Sequence, residues 1–211
     1  MAKLTAKTFF SQDEQARIEA AVRAAESRTS GEIVPMVVDQ SYDYPRAEIL
    51  GGGLLSLALA STLSWAFGHS SLWVFLPLFA LGYLPFKLLI RGLPELKRRL
   101  IHPDELTTEV EERAMLAFLD QGVHHTREET GILILISLFE HRVYVLADRG
   151  INQVVPKETW DEIVQTVTAG VRSGQACDAL CAAIGRCGVL LEGHIPRKSD
   201  DSNELPNLIL S

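Results

Sequence analysis

The sequence predicts an α/β protein: a three-layer α/β/α sandwich with a two-helix transmembrane hairpin inserted into it. Three observations predict it. From Ile49 to Phe86 the chain carries no Asp, Glu, Lys or Arg, an apolar run too long for an ordinary soluble element. Three short segments (32–38, 131–139 and 142–147) are apolar on both alternating faces, the pattern of strands covered above and below. Around them, apolar residues recur at helical spacing and supply the covering layers.

The first helix opens at Ser11-Gln12-Asp13-Glu14, where Ser11 and Glu14 have the spacing of a capping box. Ile18, Ala21, Val22 and Ala25 form its buried face, and Thr29-Ser30-Gly31 ends it, with Gly31 free to take positive φ. The strand Glu-Ile-Val-Pro-Met-Val-Val follows, then a short polar linker over 39–46.

The apolar run divides at Gly68-His69-Ser70-Ser71 into 49–67 and 72–90, each near the roughly 20 residues that cross a ~30 Å hydrocarbon layer. Gly51, Gly52, Gly53, Ser56, Ala58, Ala60 and Ser64 suit close helix–helix approach in lipid. Trp65, Trp73 and Tyr83 fall near the expected interfaces, and Pro77 and Pro85 are tolerated inside a membrane helix. The connecting loop has no Lys or Arg, whereas Arg46, Lys87, Arg91, Lys97, Arg98 and Arg99 flank the run. The positive-inside rule then expects a bacterial inner-membrane protein with its polar sequence in the cytoplasm, and Lys97-Arg98-Arg99 at anionic headgroups.

Beyond the run, Pro103-Asp104-Glu105 begins a helix with Leu106, Val110, Ala114 and Phe118 inside, closed by Gly122. Two strands, 131–139 and 142–147, form a hairpin around Glu140-His141. Pro156 starts a helix with Trp160, Ile163, Val164, Val167 and Val171 on one face, and Gly174 stops it. The last helix runs over 175–193. The organisation read this way is a first part of the domain at 1–46, the hairpin at 47–91, a second part at 92–194 and a disordered tail at 195–211. Residues 1–30 have no apolar leader core. The net charge of −7 excludes the basic face of a nucleic-acid binder. Cys177, Cys181 and Cys187, odd in number and without CxxC spacing, read as free thiols.

Thr29-Ser30-Gly31-Glu32-Ile33-Val34, the strand at 131–138, the run Val143-Tyr144-Val145-Leu146-Ala147-Asp148-Arg149-Gly150-Ile151 and the Trp160 helix together resemble the TPM domain. The resemblance spans roughly 9–46 and 103–192, with the hairpin as an insertion. It implies an α/β/α domain at a membrane, in a family whose relatives include an acid phosphatase, photosystem repair proteins and a receptor-auxiliary protein. Where relatives carry Gly-Tyr-Gly-Leu-Glu after the last strand, this chain has Asp148-Arg149-Gly150-Ile151-Asn152, so an acid is replaced by Asn152.

Turning the hairpin at Glu140-His141 sets Leu133 opposite Asp148 and Ile132 opposite Arg149. With the first strand parallel to 131–139, Glu32, Glu129 and Asp148 then converge at one sheet edge, with Arg127 and Arg149 beside them and Glu128 and Thr130 nearby. Converging carboxylates are what Ca²⁺ or Mg²⁺ requires, and Arg127 and Arg149 are the candidates for holding phosphate. The alternative for this edge is a solvated strand end with surface ion pairs. His124-His125, the Cys177/Cys181 pair and Ser30 are further candidates, each more simply explained as exposed, packed and structural. The expected function is a non-enzymatic auxiliary or assembly factor for a membrane-protein complex. The alternative is a metal-assisted phosphomonoesterase working through Asp148 and Arg149.

Overall fold

Seven consecutive buried residues in each of two segments, 32–38 and 131–137, place the centre of the fold. In the computed structural model, which describes residues 5–67, 71–126, 129–197 and 205–211, the chain runs as follows. It begins with α1 (Ala6–Phe9), α2 (Gln12–Glu26), β1 (Glu32–Val38), α3 (Pro45–Ala66), α4 (Leu72–Gly92), α5 (Pro94–Arg99) and α6 (Pro103–Asp120). A short 3-10 turn at Val123–His125 leads to β2 (Gly131–Ser137), β3 (Arg142–Ala147), α7 (Arg149–Asn152), α8 (Lys157–Arg172), α9 (Ala176–His194) and β4 (Ile209–Leu210). Two units result, one formed by residues up to Ser41 with those from Thr107 onward, the other by Tyr42–Leu106.

In the first unit the sheet order is β3-β2-β1-β4, with β1 parallel to β2 and to β4, and β2 antiparallel to β3. Strand residues alternate between two apolar layers. Ile33, Val37, Ile132, Ile134 and Ile136 meet Ile18 and Val22 of α2, Ile163 and Val167 of α8, and Leu180 and Ile184 of α9. Val34, Met36, Val38, Leu133 and Leu135 meet Val110, Ala114 and Phe118 of α6. With both faces covered, the three-layer α/β/α arrangement holds. The capping box forms as expected: Ser11 N donates to Glu14 Oε2 at 2.8 Å, and Glu14 N donates to Ser11 Oγ at 3.4 Å. Gly122 and Gly174 take positive φ and end α6 and α8.

Three expectations need correction. Gly31 does not take positive φ; glycine is needed there because a β-carbon would lie 2.7 Å from Leu191 Cδ1 on α9. β2 ends at Ser137 rather than 139, and the turn occupies Leu138–His141, so Leu133 pairs with Leu146 and Ile132 with Ala147. The register is two residues away from the expected one, because Ser137 and Arg142 close the ladder across a four-residue turn. Finally, the tail expected as disordered over 195–211 ends in structure. Ile209 and Leu210 pair with Met36 and Val37, Ser211 N donates to Val37 O at 3.0 Å and Asp39 N to Ser211 O at 3.2 Å. These bonds satisfy an edge of β1 that would otherwise be left unpaired.

The second unit is an antiparallel pair of long helices closed at its base by α5. A β-carbon at Gly52 would lie 2.9 Å from the backbone N and Cα of Lys87, and one at Gly82 would lie 2.8 Å from Ser56 Oγ. Ser56 Oγ itself donates to Phe79 O at 2.6 Å. Small residues therefore let the two backbones approach, and one hydroxyl crosses between them. Pro77 and Pro85 both lie inside α4. The unit extends beyond the expected 47–91 because Lys97 of α5 reaches back, donating to Glu48 Oε1 at 2.7 Å and to Asp43 O at 2.6 Å.

Candidate functional site

Parallel pairing of β1 and β2 sets Glu32 opposite Gly131, at the N-terminal ends of both strands. The segments around this edge are tied by backbone bonds. Glu32 N donates to Thr130 O at 3.2 Å, Asp148 N to Gly131 O at 2.9 Å, and Gly150 N to Glu129 O at 3.0 Å. Thr126 Oγ1 accepts from Thr130 N at 2.9 Å, and Thr130 Oγ1 donates to Ser30 O at 3.2 Å. Gly131 is required in this network because a β-carbon would lie 2.5 Å from Val123 O. Glu129 holds φ at 56°, the left-handed region that few non-glycine residues adopt.

The main chain thus gathers Glu32, Glu129, Asp148 and Arg149 at one end of the sheet, although the side chains differ in setting. Glu32 is 6% exposed, while Glu129 and Arg149 are exposed. Asp148 is the N-cap of α7: its Oδ1 accepts from Arg149 N at 2.7 Å, while its Oδ2 is buried and accepts no hydrogen bond from the described residues. Asn152 turns its Nδ2 onto Ala147 O at 2.6 Å, capping the end of β3. Arg127 and Glu128 lie outside the described residues.

Asp148 Oδ2, which accepts no hydrogen bond among the described residues, is a feature that fits a cation. Among the described residues, however, no group of three His, Cys, Asp or Glu side chains is arranged to hold a metal ion. A Ca²⁺ or Mg²⁺ site needs several oxygen donors, which the described side chains do not bring together here.

The remaining sequence candidates are also placed. His124 and His125 stack edge-on with ring centres 3.9 Å apart. Cys177 and Cys187 are buried free thiols and Cys181 is half-buried. Burial, with Cys181 beside it, pushes the Cys177 thiol up to about 11, and burial pushes Cys187 up to about 12. Neither is a ready nucleophile at neutral pH.

Two polar arrangements escaped the sequence reading. Glu26, at the end of α2, accepts from Ile33 N at 3.1 Å and anchors the start of β1. Buried Glu140 accepts from Ser41 N at 2.9 Å and from Ser137 Oγ, and Ser41 Oγ and Ser137 Oγ lie 3.0 Å apart. The only sequence sign of the second was an acid in a turn flanked by apolar strands.

In the helical unit, α3 and α4 are each long and apolar enough to cross a membrane, and little of their apolar windows is buried. Trp65 and Trp73 are 85% and 86% exposed; Leu54, Leu81, Leu84 and Leu88 are also exposed. Each such side chain left in water forgoes about 1.5–3 kcal/mol of transfer free energy, which a hydrocarbon solvent would supply.

The family model of the TPM domain matches residues 100–189, from just after α5 to within α9. A search of curated proteins found no match. Among solved structures, the chain is similar to the NMR structure of the BA42 protein from the psychrophilic bacterium Bizionia argentinensis. The two share 22% identity over 95% of this chain and 94% of that one, with a TM-score of 0.58. At that identity the likeness speaks for the fold.

Proposed function

Because the chain carries a TPM domain at residues 100–189, we propose that it is a membrane-anchored, non-enzymatic auxiliary or assembly factor for a membrane-protein complex. The observation that carries this reading is the helical unit. Its two helices close on each other through Gly52, Ser56 and Gly82, yet keep Leu54, Leu81, Leu84 and Leu88 facing outward. Such a surface suits lipid and the flank of another membrane protein. Arg46, Lys87, Arg91 and Arg99 flank the spans, a charge pattern that by the positive-inside rule supports an orientation with the polar sequence on the cytoplasmic side of the inner membrane. Lys97 is spent on Glu48 and Arg98 bonds Glu95 at 2.7 Å, so the charge offered to headgroups is smaller than the sequence suggests.

Two measurements test the reading. A reporter enzyme fused after Ser211 should be active only if its activity requires the cytoplasm; activity confined to the periplasm reverses the orientation. Purification in mild detergent should recover a membrane protein in fixed stoichiometry, and replacing 45–92 with an unrelated hairpin of equal length should abolish it. Recovery of no membrane partner, with an unchanged envelope in a deletion strain, removes the proposal.

Phosphate-ester hydrolysis is the second reading, favoured by the meeting of Glu32, Glu129, Asp148 and Arg149 at one sheet edge and by the orphaned Asp148 Oδ2. Here hydrolysis of p-nitrophenyl phosphate by the whole chain should be lost in Asp148→Asn; activity that survives the change eliminates this version.

A further inference from the structure

We propose that a cavity at the opposite edge of the sheet binds a small molecule made of one anionic head and an apolar body. The cavity has a volume of about 410 Å³, within the range of small-molecule sites. It lies by the end of β2, the strand that runs parallel to β1, and ligands of open α/β sheets characteristically bind at the carboxyl ends of parallel strands. The candidate acids lie at the other end, so this is a separate site, independent of the membrane-partner reading.

Its lining has two chemistries. Phe9, Ile136, Leu138, Val143 and Val171 form an apolar wall, while His141, Arg142, Thr168 and Arg172 bring the polar groups. None of the described residues lining it is acidic. Glu140, in the same turn, is buried and accepts from Ser41 N and Ser137 Oγ. Two guanidinium groups thus belong to the lining of one largely apolar cavity.

The two arginines come from different elements. Arg142 is the first residue of β3 and Arg172 is in the last turn of α8, and their spacing follows from the packing of α8 on β3. A second cavity of about 140 Å³ shares His141, Arg142, Val143, Thr168 and Arg172, so the same cationic groups border space on both sides. Arginine forks match the two oxygens of a carboxylate or phosphate, and the wall beneath them matches a ring or short alkyl body.

The test is isothermal titration calorimetry of the full chain in maltoside detergent, using 1-naphthyl phosphate and 1-naphthoate as probes. Binding at one site is expected, and 1-naphthol and inorganic phosphate should each bind at least about tenfold more weakly, since each lacks one half of the match. Arg172→Gln, at an exposed position, and Arg142→Gln should each weaken the probes about tenfold, with circular dichroism unchanged. Val171→Trp, which fills the cavity without touching its charge, should also abolish binding. Displacement of the probe by lysophosphatidate would mark a lipid as the source of the anion; failure to displace it would mark a water-soluble molecule. The proposal is overturned if neither probe saturates, if 1-naphthol binds equally well, or if the Arg142→Gln/Arg172→Gln double variant keeps full affinity.

Discussion

Glu48 and Lys97 lie 2.7 Å apart with 11% and 9% of their side chains exposed, at the base of two helices long and apolar enough to cross a membrane. Desolvating two charges is costly, and the pair persists because Lys97 also donates to Asp43 O. Removing one partner strands the other. Glu48→Gln or Lys97→Met is therefore expected to destabilise the helical unit by about 3–5 kcal/mol, while the Glu48→Leu/Lys97→Met double variant recovers most of that loss; thermal unfolding in detergent reads both. Cys187 gives a pH-dependent prediction. Burial raises its thiol from the ordinary 9 to about 12, so between those values the unfolded chain loses a proton that the folded chain keeps. Stability is complete below pH 9 and falls as pH rises from there, by up to about 1.4 kcal/mol per unit. Urea unfolding at pH 8 and 10 should show a smaller drop for Cys187→Ala than for the native chain; equal drops refute the assignment. At this scale the sequence was uneven. Ser11 and Glu14 announced their cap by local spacing, but nothing near Asp148 reveals that it caps α7 while its Oδ2 accepts no hydrogen bond among the described residues.

Within elements, identical residues differ by what faces them. Gly52 and Gly53 are neighbours in α3, yet a β-carbon at Gly52 would meet the Lys87 backbone at 2.9 Å, whereas one at Gly53 would meet nothing within 4 Å. Gly52→Ala should therefore force α3 and α4 apart and lower the detergent unfolding temperature. Gly53→Ala should leave it unchanged or raise it, since alanine is favoured over glycine in a helix by about 1 kcal/mol. Equal effects at the two positions would contradict the observed contact face. The sequence predicted that small residues line an interface without saying which, because three adjacent glycines point in three directions around a helix. Strand identity was legible for the same kind of reason: residues 33–38 and 131–136 carry no polar side chain at any position, and only a covered strand tolerates that. The pairing of β2 with β3 was not, since an apolar run shows no preference between registers two residues apart; the four-residue turn decided it.

At the scale of the whole molecule, the first unit has both of its apolar layers within its own residues. A chain joining the residues up to Ser41 through a Gly/Ser linker to 103–211 is expected to be soluble without detergent and to keep its α/β circular dichroism, while the full chain requires detergent. A linked chain that aggregates would show that the α/β unit depends on its insertion. The short β4 belongs to this scale as well. Ile209 and Leu210 are too few to announce a strand, and they become one because β1 offers an unpaired edge.

By itself, the sequence determined what local physical chemistry can determine: two helices long and apolar enough for lipid, three strands of which two are buried on both faces, the long helices that cover them and some of the caps that begin and end those helices. Tertiary structure alone decided how the polar groups are set. It did not assemble Glu32, Glu129 and Asp148, expected at one end of the sheet, into a set of three metal ligands among the described residues, but it buried Lys97 against Glu48 and set Arg142 and Arg172 in the lining of a cavity at the far end. The reason is that periodicity and capping act over a few residues, whereas strand register, the seat of a helix on a sheet and the partner of a buried charge are settled by groups tens to hundreds of positions away.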